Sequence, residues 1–153
     1  MRYDFFMELA LKQAVLALLK DDVPVGCVIV KDGCVIGYGH NSRNSDKNAL
    51  AHAEMIAINQ ACNALGDWRL ENCILFATVE PCPMCAGAML QARLSHLVFG
   101  TKNKKAGCAG SVINLLEHPG FNHTVAITGE VLESKCADLM QSYFRHLRIR
   151  HKT

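Results

Sequence analysis

The chain has 153 residues, half of them hydrophobic and a fifth charged, a balance that suits one compact domain over 1–153. No apolar run reaches the ~20 residues a membrane span needs, and "MRYDFFMELALK" lacks a signal-peptide layout, so a cytoplasmic setting without membrane contact is expected. Sixteen Lys and Arg against fourteen Asp and Glu leave a formal charge of +2, too little by itself to argue for a polyanionic partner.

Residues 3–20 carry Phe6, Leu9, Ala10, Val15, Leu16 and Leu19 at roughly helical spacing, which predicts a first helix. In "VPVGCVIVKDGCVIGYG" two β-branched runs flank Asp32-Gly33, a pair that supplies the positive φ of a tight turn, so a hairpin is predicted. The polar "HNSRNSDKNAL" reads as a loop, and "AHAEMIAINQACNAL" as a helix ending near Gly66. "CILFATV" is a strand, and "PMCAGAMLQARL" a helix whose Pro83 fits the first turn, where a missing N–H does no harm. "HLVFG" is a further strand, followed by the basic loop "TKNKK" and a short helix around "SVINLLE". "VAITGEV" predicts the fifth strand and "ESKCADLMQSYFRHLRIR" the last helix. A hairpin followed by strands alternating with helices implies an α/β domain: a three-layer α/β/α fold around a five-stranded mixed sheet. Sites in such sheets gather at the carboxyl ends of strands.

Of eight cysteines, Cys27, Cys34, Cys62 and Cys73 lie in apolar segments and are expected to be buried free thiols. Cys108 and Cys136 carry no further signal. Cys82 and Cys85 differ: in "VEPCPMCAGAML" they stand i, i+3 at a helix start, so both sulfurs can reach one ion. The unpaired N–H groups there also favour thiolates. Zinc takes three or four N or S ligands, and a catalytic site keeps one position for water. His52 is the natural third ligand. Glu54, two residues on, would point about 200° away inside a regular helix, so the two converge only if they straddle the helix start. Glu54 is then a proton shuttle for a zinc-activated water and not a ligand.

Two other readings of the cysteines compete. A thioredoxin-like dithiol needs no His-x-Glu. A structural zinc site in a nucleic-acid-binding module needs a fourth protein ligand, for which His40, His96, His118 and His123 are the candidates.

His-x-Glu followed one strand later by Pro-Cys-x-x-Cys is the signature of zinc-dependent nucleobase deaminases. With "VPVGCVIV", "VIGYGHN", "AHAE", "VEPCPMCAGAM", "LVFG", "AGCAGSVINLLEHPGFNH" and "YFRHLR", nearly the whole chain resembles the bacterial tRNA-specific adenosine deaminase family, within the cytidine/deoxycytidylate deaminase superfamily. The resemblance implies a cytidine-deaminase-like fold and hydrolytic conversion of adenosine to inosine at the wobble position of a tRNA anticodon. One Zn2+ per subunit would be held by His52, Cys82 and Cys85, with Glu54 carrying protons. Asn41 would hydrogen-bond the flipped base, and Ala53 and Pro81 would shape its pocket. Phe144 and Arg145 would face the anticodon stem-loop, and the enzyme would be a homodimer. Basic clusters at 101–105 and 145–152 would contact phosphates, against the plainer reading of a solvated loop and helix end.

The chain departs from the family pattern at three places. Asn48-Ala49-Leu50 replaces the usual Asp-Pro-Thr. Pro83 gives "EPCPMC", a form common in related guanine deaminases, which makes a free-purine enzyme the runner-up. Asn103 stands where the family generally has Asp, a position the resemblance sets beside the ribose of a neighbouring nucleotide.

Overall fold

The computed structural model describes residues 1–152. Helix α1 (Tyr3–Leu19) leads into strands β1 (Gly26–Lys31) and β2 (Cys34–His40). The one-turn helix α2 (Arg43–Asp46) and helix α3 (Ala53–Leu65) come next, then β3 (Cys73–Val79), α4 (Pro83–Gln91) and β4 (His96–Thr101). The short β5 (Ala126–Thr128) and the long α5 (Glu133–His151) close the chain. Among the described residues no helix is long and apolar enough to cross a membrane.

The sheet has five strands in the order β2-β1-β3-β4-β5. β1 runs antiparallel to β2 and β3, whereas β3, β4 and β5 are parallel, so the expected mixed sheet is present. The hairpin turns at Asp32 and Gly33, both at positive φ (50° and 77°), as the sequence predicts. Central strands are buried on both sides, and their side chains alternate between two cores. Cys27, Ile29, Leu75, Ala77, Leu97 and Phe99 face α3 and α4. Val28, Val30, Phe76 and Val98 face α1 and, through Cys136, α5. Full burial of a side chain such as Phe76 contributes roughly 1.5–3 kcal/mol, and these two cores make the three layers.

Helix α3 lies close on β2. A Cβ at Gly39 would sit 2.0 Å from the Ala53 carbonyl oxygen, so glycine there lets the helix start descend onto the strand. The carboxyl ends of β2, β3 and β4 lie along one edge of the sheet together with the amino end of β1.

Three expectations are corrected. The segment around "SVINLLE" forms turns and an Ala109–Asn114 bridge instead of a helix. Its backbone N–H groups at Ala109 and Ser111 are drawn to a side chain elsewhere in the fold (below), and Val112 and Ile113 are more than half exposed, so no apolar helix face is available. The polar loop after β2 contains the unforeseen α2. Of the cysteines expected to be buried, Cys34 is exposed beside the hairpin turn and Cys62 is half-buried; all eight are free thiols.

Candidate active site

Two helices start at the same edge of the sheet. His52 is the last extended residue before α3 (φ −78°, ψ 149°), and Cys82 holds the same place before α4 (φ −74°, ψ 174°). His52 therefore still belongs to the incoming extended chain, while Glu54 is already in the first turn of α3. The turn before α3 is held by Asn48, whose side-chain oxygen accepts the Leu50 N–H at 2.9 Å and whose carbonyl accepts the Ala51 N–H at 3.2 Å. This is the path the chain takes through the departure at 48–50.

His52 Nδ1 lies 3.6 Å from Cys82 Sγ and 3.5 Å from Cys85 Sγ. The ligand atoms of these three residues all lie within 4.8 Å of one another. A hydrogen bond from the Cys85 thiol, joined by one with His52, outweighs burial and holds the Cys82 thiol down to about 4. Sharing that proton with Cys82, together with burial, pushes Cys85 up. The Cys82 contact likewise raises the His52 imidazole above its ordinary value, against the effect of burial. A thiolate, a second sulfur and an imidazole nitrogen at this separation are a donor set that suits zinc. The four histidines considered as a fourth ligand are engaged elsewhere: His40 with Gln13, His96 with Tyr3 and Thr128, His118 with the Gly120 N–H and His123 with the Leu94 carbonyl.

Glu54 is buried, and its Oε2 accepts from Cys85 Sγ at 3.4 Å. Burial raises its carboxyl above the ordinary carboxylate range, opposed by hydrogen bonds from its own N–H and from Cys85. A carboxyl poised to hold a proton beside a candidate metal-binding cluster is an arrangement suited to proton transfer.

A cavity of about 140 Å³ opens over these groups, lined by Asn41, His52, Glu54, Cys82 and Asn103. Asn41 Oδ1 accepts the Ala53 N–H at 2.9 Å, so the side chain's NH2 is the end left for a ligand. Ala53 and Pro81, expected to shape the pocket, are buried and are not among the lining residues; the Pro81 carbonyl accepts the Cys108 N–H at 2.9 Å. Phe144 and Arg145 are exposed on α5 outside the cavity, and α5 reaches the lining through Met140. Sequence reasoning missed Val23, Val25, Arg43, Val79, Glu80 and Met140, which complete the lining.

Glu80 has the widest reach of these. The residue is 2% exposed, and its carboxylate accepts N–H groups from Asn103 (3.2 Å), Ala109 (3.0 Å) and Ser111 (3.1 Å), and the Ser111 hydroxyl as well. Burial alone would push this carboxyl up, but the hydrogen bonds from Ser111, Ala109 and Asn103 hold it below the usual range. Asn103 Oδ1 in turn accepts the Ala106 N–H at 3.2 Å. One visible signal was the acid's place directly after a buried strand and two residues before a candidate metal-ligating cysteine.

The deaminase family described as MafB19-like deaminase matches residues 1–148. The chain belongs to this family. It is 44% identical to the tRNA-specific adenosine deaminase of Bacillus subtilis (strain 168), over 97% of this chain and 92% of that one. A solved structure from studies of A-to-I editing by tRNA:A34 deaminases is 38% identical and superposes with a TM-score of 0.85, covering 88% of this chain and 98% of the other. The guanine deaminase of Bacillus subtilis stands further off, at 33% identity and a TM-score of 0.65, over 84% of this chain and 85% of that one. The family resemblance and the α/β fold expected from the sequence are thus borne out.

Proposed function

We propose that this deaminase converts adenosine to inosine at the wobble position of a tRNA anticodon, adding water at C6 of adenine and releasing ammonia. What carries the reading is the open three-ligand cluster of His52, Cys82 and Cys85 with the buried Glu54 carboxyl beside it, in a chain whose relative at 44% identity bears that name. The three ligands would hold one zinc ion per subunit, which when bound supplies an acidified water as nucleophile.

The protein's own groups then have defined tasks. Glu54 takes the proton of the attacking water and delivers protons to the ring nitrogen and the departing amine, so that hydroxyl replaces amine with no net change in charge. Asn41 offers its NH2 to the base and fixes its orientation. Asn103 meets the neighbouring ribose, and Phe144 and Arg145 meet the loop outside the pocket. An anticodon base suits such a site because it is splayed out of a loop at low cost, whereas a paired base is not. We place this single-domain enzyme in the cytoplasm as a homodimer.

Incubation with an anticodon stem-loop RNA carrying the target adenosine is expected to yield inosine, read by nucleoside chromatography after digestion. Release of xanthine from free guanine, without inosine in the RNA, would move the assignment to the runner-up suggested by Pro83. Bound zinc without turnover of either substrate would favour the structural-zinc module.

A further inference from the structure

The cavity over Glu54 is lined by one cationic side chain that neither the metal cluster nor the proton path uses. Arg43 is the first residue of α2, exposed, and lines the same cavity as Asn41, His52 and Asn103. Its backbone is well fixed. The Arg43 carbonyl accepts the Asn48 N–H at 3.1 Å, the next residue's N–H reaches Asp22 Oδ2 at 2.8 Å, and Asp22 is itself 1% exposed.

The acids around Arg43 are occupied. Asp22 takes the N–H groups of Val23 and Asn44, Asp46 takes the Ser42 hydroxyl at 2.9 Å, and Asp21 pairs with Arg150. Among the described residues the four ion pairs do not include Arg43. Arg43 is exposed and yet lines the cavity together with His52 and Met140 of α5, which puts it at the mouth. The lysines after β4 do not line this cavity: Lys102 is tied to Glu130 at 3.3 Å, and Lys102 and Lys104 both line a separate cavity that shares Glu80.

A neutral purine needs no cation. The apolar side chains of Val23, Val25 and Met140 can pack against its faces, and Asn41 and Glu54 can serve its edge. An unpaired guanidinium at the mouth matches the group that enters last and stays outside, which in a nucleic acid is the phosphate. Its planar fork of donors fits two phosphate oxygens at once. We propose that Arg43 binds the backbone phosphate joining the target nucleotide to its neighbour, and so makes this cavity a site for nucleotides in a chain and not for free bases. The inference rests on the deamination reading above.

The test compares wild type, Arg43→Gln and Arg43→Lys on the stem-loop RNA across a salt series, with AMP and adenosine as separate substrates. Zinc content and melting temperature are measured on each preparation to show that the fold is kept. Loss of one phosphate contact should make the slope of log(kcat/KM) against log[salt] shallower by about 0.7 in Arg43→Gln. KM for the RNA should rise about tenfold at moderate salt with kcat little changed. Arg43→Lys should keep the slope, since it keeps the charge, while losing part of the affinity with the fork. Equal slopes in wild type and Arg43→Gln would overturn the proposal. So would a preference for AMP over adenosine that Arg43→Gln abolishes while the RNA slope stays unchanged, because the phosphate would then belong to a free nucleotide. A wild type that forms no inosine in the RNA marks failure of the deamination reading itself, and the proposal falls with it.

Discussion

His52, Cys82 and Cys85 take their places from two regular helix starts, whereas the segment after β4 takes its shape from one buried carboxylate. Both regions line the same cavity, one as its floor and the other as a wall. The floor is built locally: an extended residue, a turn of helix, and a neighbour one turn on. The wall is built at long range, with Glu80 reaching the Ala109 N–H 29 residues later in the chain. A site can therefore keep its chemistry in rigid elements and entrust substrate contact to a loop pinned at one point. Separate substitutions should disturb the two regions separately.

The largest effect belongs to the floor. Glu54→Ala should lower turnover of the stem-loop by about 10²–10⁴-fold, the usual contribution of a positioned proton-transfer group. Zinc content, measured on the same preparation, should be unchanged, because the three ligands lie outside the substitution. Loss of zinc would make Glu54 part of the ligand set and remove the distinction between the groups that hold the metal and the one that moves protons.

Glu80→Gln should strike the wall and spare the floor. An amide offers one acceptor oxygen and one NH2, yet three backbone N–H groups converge on this side chain. Whichever way the amide turns, at least one half-buried or exposed donor loses its partner, at a cost of about 1 kcal/mol. Hydrogen exchange should quicken at 103–111 while the first turns of α3 and α4 keep their protection. Equal loss of protection in both regions would mean that they are one unit, and the comparison would fail.

Gly107→Ala presses on the same point more gently. The added Cβ would lie 2.4 Å from the Glu80 carboxylate and 2.5 Å from the Asn103 carbonyl oxygen, so the segment must shift away from its anchor. Overpacking of this kind costs about 1–3 kcal/mol, and the outward displacement of Asn103 should appear as a raised KM for RNA with little change in kcat. A variant with wild-type KM and stability would show that the wall tolerates displacement.

The same contrast explains what the sequence disclosed. The spacing of Cys82 and Cys85, Pro83 in the first turn of α4, and His52 and Glu54 across a loop-to-helix boundary are local patterns with local causes. The sheet was legible for the same reason, from the Asp32-Gly33 turn and the apolar strands. The segment at 111–117 was misread as a helix because its apolar residues resemble a short helical face, while the force that shapes it comes from Glu80 on another strand's end. Arg43 and Asp22 were invisible on the same ground. Nothing beside Arg43 in sequence announces that it will line one cavity with Glu54, and nothing beside Asp22 says that it will hold the start of α2.

Asn103 gives the smallest effect and the finest test of the wall. Its backbone N–H is held by Glu80 and its Oδ1 by the Ala106 N–H, so the side chain's turn role and its seat in the cavity coexist. With Oδ1 committed, the NH2 is the group that, on the proposed reading, would meet substrate, and a donor can pair with a ribose hydroxyl or with another sugar or phosphate oxygen. In Asn103→Asp, one oxygen would keep the turn and the other could only accept, which demands a hydroxyl donor such as the 2′-OH. That hydroxyl is how a protein tells RNA from DNA. The Asp variant should therefore show a larger RNA-to-DNA rate ratio on matched stem-loops, by several-fold, the effect of about 1 kcal/mol from one hydrogen bond. The new charge also stands near the Glu80 carboxylate, so its absolute rates should fall on both substrates while the ratio rises. A ratio equal to or below that of wild type would reduce Asn103 to its turn role, and would leave the wall a scaffold without a part in choosing the sugar.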